Sequence, residues 1–578
     1  MRKSRLLALL LALTLVLSLA LTACGGTEDV SNDDQEQDQN QDQDQDQDQD
    51  QDQDQDDSGD ELAEEQVLRV NLGSEPPCLD PQLSTDTTSS EILQDTLEGI
   101  IRLDASGEVK EGSGMATSWD ISEDGTVYTF HLRDATWSDG VPVTAQQFEY
   151  AWKRLLAPET ASDYTFMAYD IVNAKEYSTG EVTDPEQVGV KAIDEKTLEV
   201  TLNAANPVFV SKLQHSTFFP ARQDLVEEYG EKYASEAHLT PANGPFMLEE
   251  WNHESKVVVV KNPLYWDADA VKLDRIEFSM ITNSNSIMGM YKTGQFDYTG
   301  VPSQFLEQYK DELQRYNTAS TYYYLFNNED KYLKNVKLRK AIRMSIDQTK
   351  VYETLAQGMT DSAYAWIPPG IPGYDGKTFR EIAGQTLFSD VGTGATKEEV
   401  QQLVADAASE LGITVDDLQG YATYLTGDTD SSLKYGEVYQ QMIEQNAGLQ
   451  VGIEQATWKV RLDKYSEGDF TMAALGWIGD YNDAMTFMDL FLSDSPQNRA
   501  RYKSEEFDAY VHKAMEVFDQ KERIDAMVAA EKVFMEDMPI APYSFGTEIY
   551  VQRPYVKDIV RLPLQVYDGK KWAYVLEH

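Results

Sequence analysis

The chain has 578 residues and a formal net charge of −52, because 100 Asp and Glu outnumber 48 Lys and Arg. A chain this acidic lacks the positive surface with which proteins neutralise phosphates, so nucleic acid is not expected as a partner. It has two cysteines and six histidines, and no close pair of histidines at metal-ligand spacing. This composition argues against a cysteine-based zinc site and a histidine-based metal centre, and nothing in it points to a cofactor.

The first 23 residues are typical of a secretion signal. Arg2, Lys3 and Arg5 precede the apolar run at residues 6–21, and small residues lead to Cys24. The string LTAC at residues 21–24 resembles the lipobox of bacterial lipoproteins; the alternative is an ordinary signal peptide with a chance cysteine. The resemblance implies cleavage before Cys24 and acyl chains that hold the protein on the extracellular or periplasmic face of the cell membrane.

A linker is expected at residues 24–66, after the signal. Residues 27–66 contain 19 Asp or Glu and no Lys or Arg, mostly as alternating Gln and Asp. Such a segment has too little apolar surface to offset the entropy of ordering, so it is predicted to be a disordered acidic spacer and not a binding site.

The body from residue 67 onward is too long for one core, so two or three domains are expected. Its patterns predict a mixed α/β chain. The predicted strands and hairpin are residues 126–132, 189–202 with a turn at 194–196, and 256–261. The predicted helices are residues 146–156, 336–356, 397–411 and 524–537.

The clearest helix is predicted at residues 397–411. Its apolar residues fall on one face, Thr396 and Glu399 form a capping box, and Gly412 can end it. We interpret its apolar face as core packing.

One longer string carries a recognisable spacing: NGPFMLEEWNHESKVVVVKNPLYWD at residues 243–267. Further strings stand in the same order as in one family: LDPQ at 79–82, EGIIRLD at 98–104, residues 129–158, YYYLFNN at 322–328, LRKAIRMSID at 338–347 and GWIGDYND at 476–483. Together they resemble the solute-binding proteins of ABC importers, family 5, which contains oligopeptide-, dipeptide- and nickel-binding proteins. TASDY at 160–164 and YKSEEFD at 502–508 make the chain particularly similar to the oligopeptide-binding branch.

The resemblance implies an α/β fold of two lobes around a hinge, with an extra subdomain of the cluster C type. The implied segments are lobe I at 67–101, 218–320 and 541–578, the extra subdomain at 102–217, and lobe II at 321–540. Two crossings, near Thr321 and Ile540, would form a hinge that closes over a ligand.

The same resemblance implies a binding site for an oligopeptide. The aspartate of the W-x-x-D-Y-N string, Asp480, would receive the peptide's α-amino group, and Gly476 and Ile478 would pair with the peptide backbone. The other implied contact residues are Trp477, Tyr164, Thr87, Thr85 and, more weakly, Asn243. A structural turn cap is the alternative role for Asp480; Asp483 and Asp494 are interpreted as surface or turn residues.

Ala474 departs from the family pattern. Oligopeptide-binding relatives can have an arginine here that takes the peptide carboxylate. Lys459, Arg461 and Lys464 are the nearby cations that could replace it.

The expected function is therefore a non-catalytic, monomeric receptor that delivers oligopeptides to an ABC permease. A dipeptide, chelated nickel or an oligosaccharide are alternative ligands. A secreted hydrolase is the alternative from another class, but the sequence has no Gly-x-Ser-x-Gly elbow and no His-Glu-x-x-His motif.

Overall fold

The computed structural model describes residues 61–384, 389–517, 519–564 and 568–578. The predicted signal, Cys24 and most of the predicted linker lie outside the described residues. Contacts join the described residues into one compact unit. Within these residues, no helix combines the length and the apolar character that crossing a membrane requires.

Sixteen strands occur in the described residues. They are β1 (Val67–Asn71), β2 (Ala116–Ile121), β3 (Val127–Leu132), β4 (Val190–Asp194), β5 (Thr197–Thr201), β6 (Phe246–Asn252), β7 (Lys256–Lys261), β8 (Arg275–Ser279), β9 (Tyr298–Gly300), β10 (Gln314–Phe326), β11 (Thr423–Gly427), β12 (Gly452–Ala456), β13 (Met472–Ile478), β14 (Ile540–Gln552), β15 (Val556–Lys557) and β16 (Tyr574–Val575).

The α-helices of the described residues range from one turn to five turns. They are α1 (Thr87–Thr96), α2 (Ala145–Leu156), α3 (Ala174–Ser178), α4 (Phe209–Lys212), α5 (Gln223–Tyr229), α6 (Ser284–Lys292), α7 (Leu306–Tyr309), α8 (Val336–Met344), α9 (Gln348–Leu355), α10 (Phe379–Ala383), α11 (Lys397–Leu411), α12 (Asp430–Ala447), α13 (Trp458–Glu467), α14 (Met485–Met488), α15 (Glu505–Glu516) and α16 (Gln520–Asp537).

One ten-stranded sheet organises the fold, in the order β12-β11-β13-β10-β14-β9-β1-β8-β7-β6. Its two longest strands, β10 and β14, lie side by side at the centre and pair antiparallel. The expected hinge crossings near Thr321 and Ile540 fall within β10 and at the start of β14. The residue boundaries of the two lobes stay a prediction.

A separate antiparallel sheet in the order β2-β3-β5-β4 lies between residues 116 and 201. Helix α2 packs on this sheet with the apolar face that includes Phe148, Trp152 and Leu155, all fully buried. This sheet lies within the residues for which an extra subdomain is expected.

Most of the predicted elements are found. β7 has the predicted bounds, the predicted hairpin is β4 and β5, and α11 begins at the predicted capping box and ends at Gly412 in the left-handed conformation. The helix predicted at 524–537 is α16, which begins earlier because Asp519 caps it through the backbone N–H of Glu522.

The single helix predicted at 336–356 is wrong. It is two helices, α8 and α9, because the Asp347 side chain accepts a hydrogen bond from the backbone N–H of Lys350 and so starts a new helix. Ile346, in the break between them, is fully buried. The hydrophobic period continues across the break, which explains the misreading.

The linker boundary at residue 66 is also wrong. Leu62 forms a β-bridge with Leu576, and Ala63 donates a backbone hydrogen bond to Val575. The buried side chain of Gln66 donates to the carbonyl of Val575 and accepts from its N–H. Residues 61–66 therefore belong to the folded body.

Candidate functional site

A cavity of about 850 Å³ opens along β13. This volume falls within the range of small-molecule binding sites. Its lining comes from distant parts of the chain: residues 84–91 at the start of α1, Tyr164 and His215 near the four-stranded sheet, and residues of β10, β11, β13, α12, α13 and β14.

One edge of β13 is open beside this cavity. On one side β13 pairs antiparallel with β10 along its whole length, from Met472 to Ile478. On the other side it pairs with β11 only at Met472 and Ala473. In the described residues no strand pairs with residues 474–478 on that side, so this stretch is a partly unpaired strand edge.

The backbone groups of Gly476 and Ile478 face this open edge. Gly479 donates a hydrogen bond to the carbonyl of Ala319, the residue opposite it in the register with β10. Hydrogen-bonded pairs alternate along an antiparallel ladder. The even-numbered residues of β13 therefore direct their N–H and C=O groups away from β10. The carbonyl of Ala474 is an example, because it accepts a hydrogen bond from Tyr465 Oη of α13, and not from β10, at 2.8 Å.

Asp480 lies just beyond this edge, and its carboxylate is almost buried, with a side chain only 10% exposed. Its Oδ2 is buried and has no hydrogen-bond partner, and its Oδ1 lies 3.6 Å from His215 Nε2. The backbone of Asp480 is held in place, since its N–H donates to Thr486 and its carbonyl accepts from Gln214.

Among the described residues, no neighbour forms an ion pair that neutralises this carboxylate. Burial lowers the pKa of His215 to about 4, so its imidazole is uncharged at neutral pH. Burial, and then the negative charge of Asp489, hold the pKa of Asp480 well above its usual range, with Lys212 opposing them weakly. Lys212 is itself paired with Asp170 at 2.5 Å. A buried carboxylate without a counter-charge is costly, and a bound cation would relieve that cost.

Aromatic rings surround Asp480 on the cavity side. Tyr164 stacks on His215 with ring centroids 4.8 Å apart and lies 6.2 Å from the ring of Trp477. The indole N–H of Trp477 is buried and has no partner. Another ring, that of Tyr322, requires a glycine at position 476, because a Cβ there would lie 2.5 Å from it.

Thr85 and Thr87 also line the cavity. Between them, Asp86 caps α1 through Ser89 and accepts a hydrogen bond from Trp458 Nε1 of α13 at 3.2 Å. The start of α1 and the start of α13 are thus joined at the cavity. Sequence reasoning missed Asp86, Trp458 and His215, since their closeness depends on contacts across hundreds of residues.

Asn243 does not line the cavity. It is fully buried, accepts a hydrogen bond from the N–H of Glu98 and donates one to the carbonyl of Glu98. Its side chain therefore fastens one chain segment to another, and we do not carry it forward as a ligand contact.

The three candidate cations near Ala474 differ in position. Arg461 lines the cavity, while Lys459 and Lys464 do not. Lys464 is paired with Glu454 and Asp469. The Arg461 Nε is buried without a hydrogen-bond partner, and its guanidinium lies 4.7 Å from the ring of Trp458.

Asp483 and Asp494, the two acidic residues interpreted from the sequence as surface or turn residues, do not line the cavity. Asp483 is buried, pairs with Arg523 at 2.6 Å and accepts a hydrogen bond from the N–H of Met485 in a turn. It is therefore a turn residue but not a surface one. Asp494 is exposed and pairs with Lys175.

The sequence also gave no sign of a second group of carboxylates in the cavity wall. Glu91, Glu548 and Asp568 line the cavity and come from α1, β14 and the C-terminal segment. No motif links them, so only the fold reveals them.

Comparison with known proteins gives one family. The model of the bacterial extracellular solute-binding proteins, family 5, matches residues 112–499. The oligopeptide-binding protein OppA of Bacillus subtilis is 32% identical over 503 residues, covering 85% of this chain and 90% of that protein.

Two solved structures have the same fold. The substrate-binding domain of an oligopeptide ABC transporter from Bacillus anthracis superposes with a TM-score of 0.84 at 35% identity, covering 89% of this chain and all of that one. OppA of Listeria monocytogenes bound to peptide has a TM-score of 0.83 at 31% identity, with 89% and 99% covered.

Proposed function

Because this chain belongs to the bacterial extracellular solute-binding proteins of family 5, we propose that it captures oligopeptides and delivers them to an ABC import permease. The two-lobe α/β fold of this family and a solute-binding role are established by the comparisons. The peptide as ligand, the permease and the individual contacts are the proposal.

The uncompensated carboxylate of Asp480 is the observation that carries it. This charge is buried at the end of an open strand edge, next to a cavity, and no cation of the described residues pairs with it. A peptide's α-ammonium supplies that cation. The resulting charge-assisted hydrogen bond contributes about 1.5–3 kcal/mol.

The open edge of β13 explains how many sequences can be accepted. A peptide that extends along residues 474–478 can exchange backbone hydrogen bonds with Gly476 and Ile478, as an added strand does. These bonds involve groups that every peptide has. Trp477, Tyr164, Thr85 and Thr87 then enclose the first residues of the ligand.

Arg461 is the cation we assign to the peptide's carboxylate. It is at the wall of the cavity, and its Nη2 lies about 3.4 Å from the position that a Cβ on Gly427 would take. β11 pairs with β13 as far as Leu425 and Ala473, and Gly427 lies two residues further along β11. The guanidinium is therefore next to the last residue of β11, the strand that borders β13 in the sheet.

The lipid anchor completes the proposed role. Acyl chains on Cys24 would keep the receptor near its permease on the outer face of the membrane. Detergent phase partitioning tests this: wild-type protein is expected in the detergent phase and Cys24→Ala in the aqueous phase. Equal partitioning of both would refute the anchor.

The central experiment compares free and blocked peptides. Isothermal titration with an alanine pentapeptide, as such and N-acetylated, is expected to show that acetylation weakens binding to wild-type protein at least about tenfold. In Asp480→Asn the free peptide should weaken as strongly, and the difference between the two peptides should largely vanish.

Asp494→Asn is the matched control, because Asp494 is exposed and is not among the residues that line the cavity. It should bind both peptides as wild type does. Equal losses for free and acetylated peptide in Asp480→Asn would remove the proposed amine contact. A thermal shift caused only by sugars or by nickel, with none by peptides, would refute the peptide role altogether.

A further inference from the structure

A second part of the cavity wall has unbalanced charge. Glu91, Glu548 and Asp568 all line the cavity, and we call these three residues the acidic end. They come from α1, from β14 and from the segment before β16, so the completed fold brings them together.

Two cations form ion pairs with members of the acidic end, but neither of them pairs with Glu548. Lys570 pairs with Glu91 and, at 3.3 Å, with Asp95 behind it. Arg561 pairs with Asp568 at 3.1 Å. In the described residues Glu548 has no ion pair and no side-chain hydrogen bond. Four carboxylates thus share two cations.

Glu548 is half-buried and lines the cavity. Burial, and then the charge of Asp568, raise its pKa, and no cation of the described residues opposes them. It resembles Asp480 in two respects: it lines the same cavity, and no cation of the described residues forms an ion pair with it. Leaving such a group unpaired is costly unless a ligand neutralises it.

Tyrosine rings form the wall beside it. Tyr316 lies opposite Glu548 in the register of β10 and β14, and Tyr298 and Tyr316 both line the cavity. Tyr550 joins these two rings edge to face, at 5.2 and 6.0 Å. Arg561 already lies over the rings of Tyr298 and Tyr550, at 4.6 and 4.3 Å. The ring of Tyr316 beside Glu548 is therefore the aromatic surface that suits a side chain with an apolar stem and a cationic head.

Tyr322 connects the acidic end with the open edge of β13. Its ring packs over Gly476, and its pKa is raised by burial and then by Glu548. Glu548 is therefore close enough to act on a ring that covers the middle of the open edge. A ligand residue beside Gly476 can extend its side chain toward it.

We propose that the acidic end binds the cationic side chain, Lys or Arg, of a peptide residue that follows the first one, with Glu548 as its ion-pair partner. The inference rests on the proposed peptide-binding function and adds a side-chain preference to it. The receptor then discriminates among peptides by charge, although its backbone contacts do not.

Peptide titration tests the preference. The probes are the alanine pentapeptide and four derivatives, with Lys at position 2, 3 or 4 or norleucine at the position that Lys favours. At least one Lys peptide is expected to bind wild-type protein about tenfold or more tightly than both the alanine and the norleucine peptides. Norleucine keeps the stem and lacks the charge, so it separates the ion pair from apolar contact.

The variant Glu548→Gln keeps the shape of the side chain. It should lose the tenfold advantage of the Lys peptide and bind the alanine peptide within about twofold of wild type. Glu437→Gln, at an exposed position of α12, should keep the advantage. Circular dichroism melting of each variant establishes that it is folded.

The outcomes distinguish the proposed side-chain preference from the proposed peptide-binding function. If the alanine peptide binds and no Lys peptide binds more tightly, the acidic end has no such role and peptide capture stands. If Glu548→Gln weakens both peptides equally, Glu548 supports the fold and the inference is overturned. If no pentapeptide binds at all, the proposed function fails, and the inference fails with it.

Discussion

Two buried carboxylates, Glu531 in α16 and Asp480 beyond β13, have opposite surroundings. Glu531 is fully enclosed; its Oε1 accepts from the N–H groups of Trp366 and Ile367 at 3.1 and 2.9 Å, and its Oε2 pairs with Arg380. Asp480 has an unpaired oxygen and an uncharged histidine beside it. The first charge is satisfied by the chain and fixes its structure. The second is left for a ligand.

The largest effect is expected at Glu531. Glu531→Ala leaves Arg380 buried without its partner, which should lower the free energy of unfolding by about 3–5 kcal/mol. Urea denaturation measures this loss. Glu437→Ala, at an exposed position of α12, should change stability by less than about 0.5 kcal/mol. A loss of similar size in both variants would mean that the network around Glu531 does not stabilise the fold.

Arg461 extends the comparison to a cation that has no ion pair in the described residues and whose buried Nε has no hydrogen-bond partner. Arg461→Gln should weaken binding of a pentapeptide with a free carboxylate by about 1.5–3 kcal/mol and hardly affect its C-terminal amide. Lys464→Gln is the matched control, because Lys464 is already paired and lies outside the cavity wall. Titration calorimetry measures the affinity of each variant for both peptides. If Arg461→Gln weakens the pentapeptide and its C-terminal amide equally, Arg461 does not contact the peptide's carboxylate.

The smallest effect is a gain in stability. Because the pKa of Asp480 is raised in the folded protein, the folded state binds more protons than the unfolded one, and stability falls as pH rises above the ordinary value of 3.8. Asp480→Asn removes this contribution.

Without ligand, Asp480→Asn should therefore be more stable than wild type at pH 7, by on the order of 1 kcal/mol, and the difference should shrink toward pH 4. Burial raises the pKa of Asp489 to about 7, so this group also makes stability fall as pH rises, in wild type and variant alike. Urea unfolding at several pH values measures the difference. A variant that is less stable than wild type at every pH would show that Asp480 is a structural carboxylate like Glu531.

Local patterns predicted the elements well where the cause is local. The α11 bounds follow from a capping box and a glycine, and both act within a few residues. The break between α8 and α9 was missed because the apolar period on both sides stays in phase, while a single capping aspartate decides the geometry.

The candidate site was predicted through family resemblance and not through composition. Asp480, Gly476 and Ile478 stand in one contiguous string, so a string could identify them. Glu548 and His215 stand in no recognisable motif, and their meaning depends on which charges the fold leaves unpaired. That property belongs to the three-dimensional arrangement, where burial decides the energy of a charge.

Residues 61–66 are tied to residues 575–577, which places the two ends of the described body side by side. A force that the preceding chain applies to residue 61 would therefore also act on the C-terminal residues, through the β-bridge between Leu62 and Leu576. A fluorescent label attached after His578 would consequently report the position of residue 61, where the preceding chain joins the folded body, and would say little about the cavity.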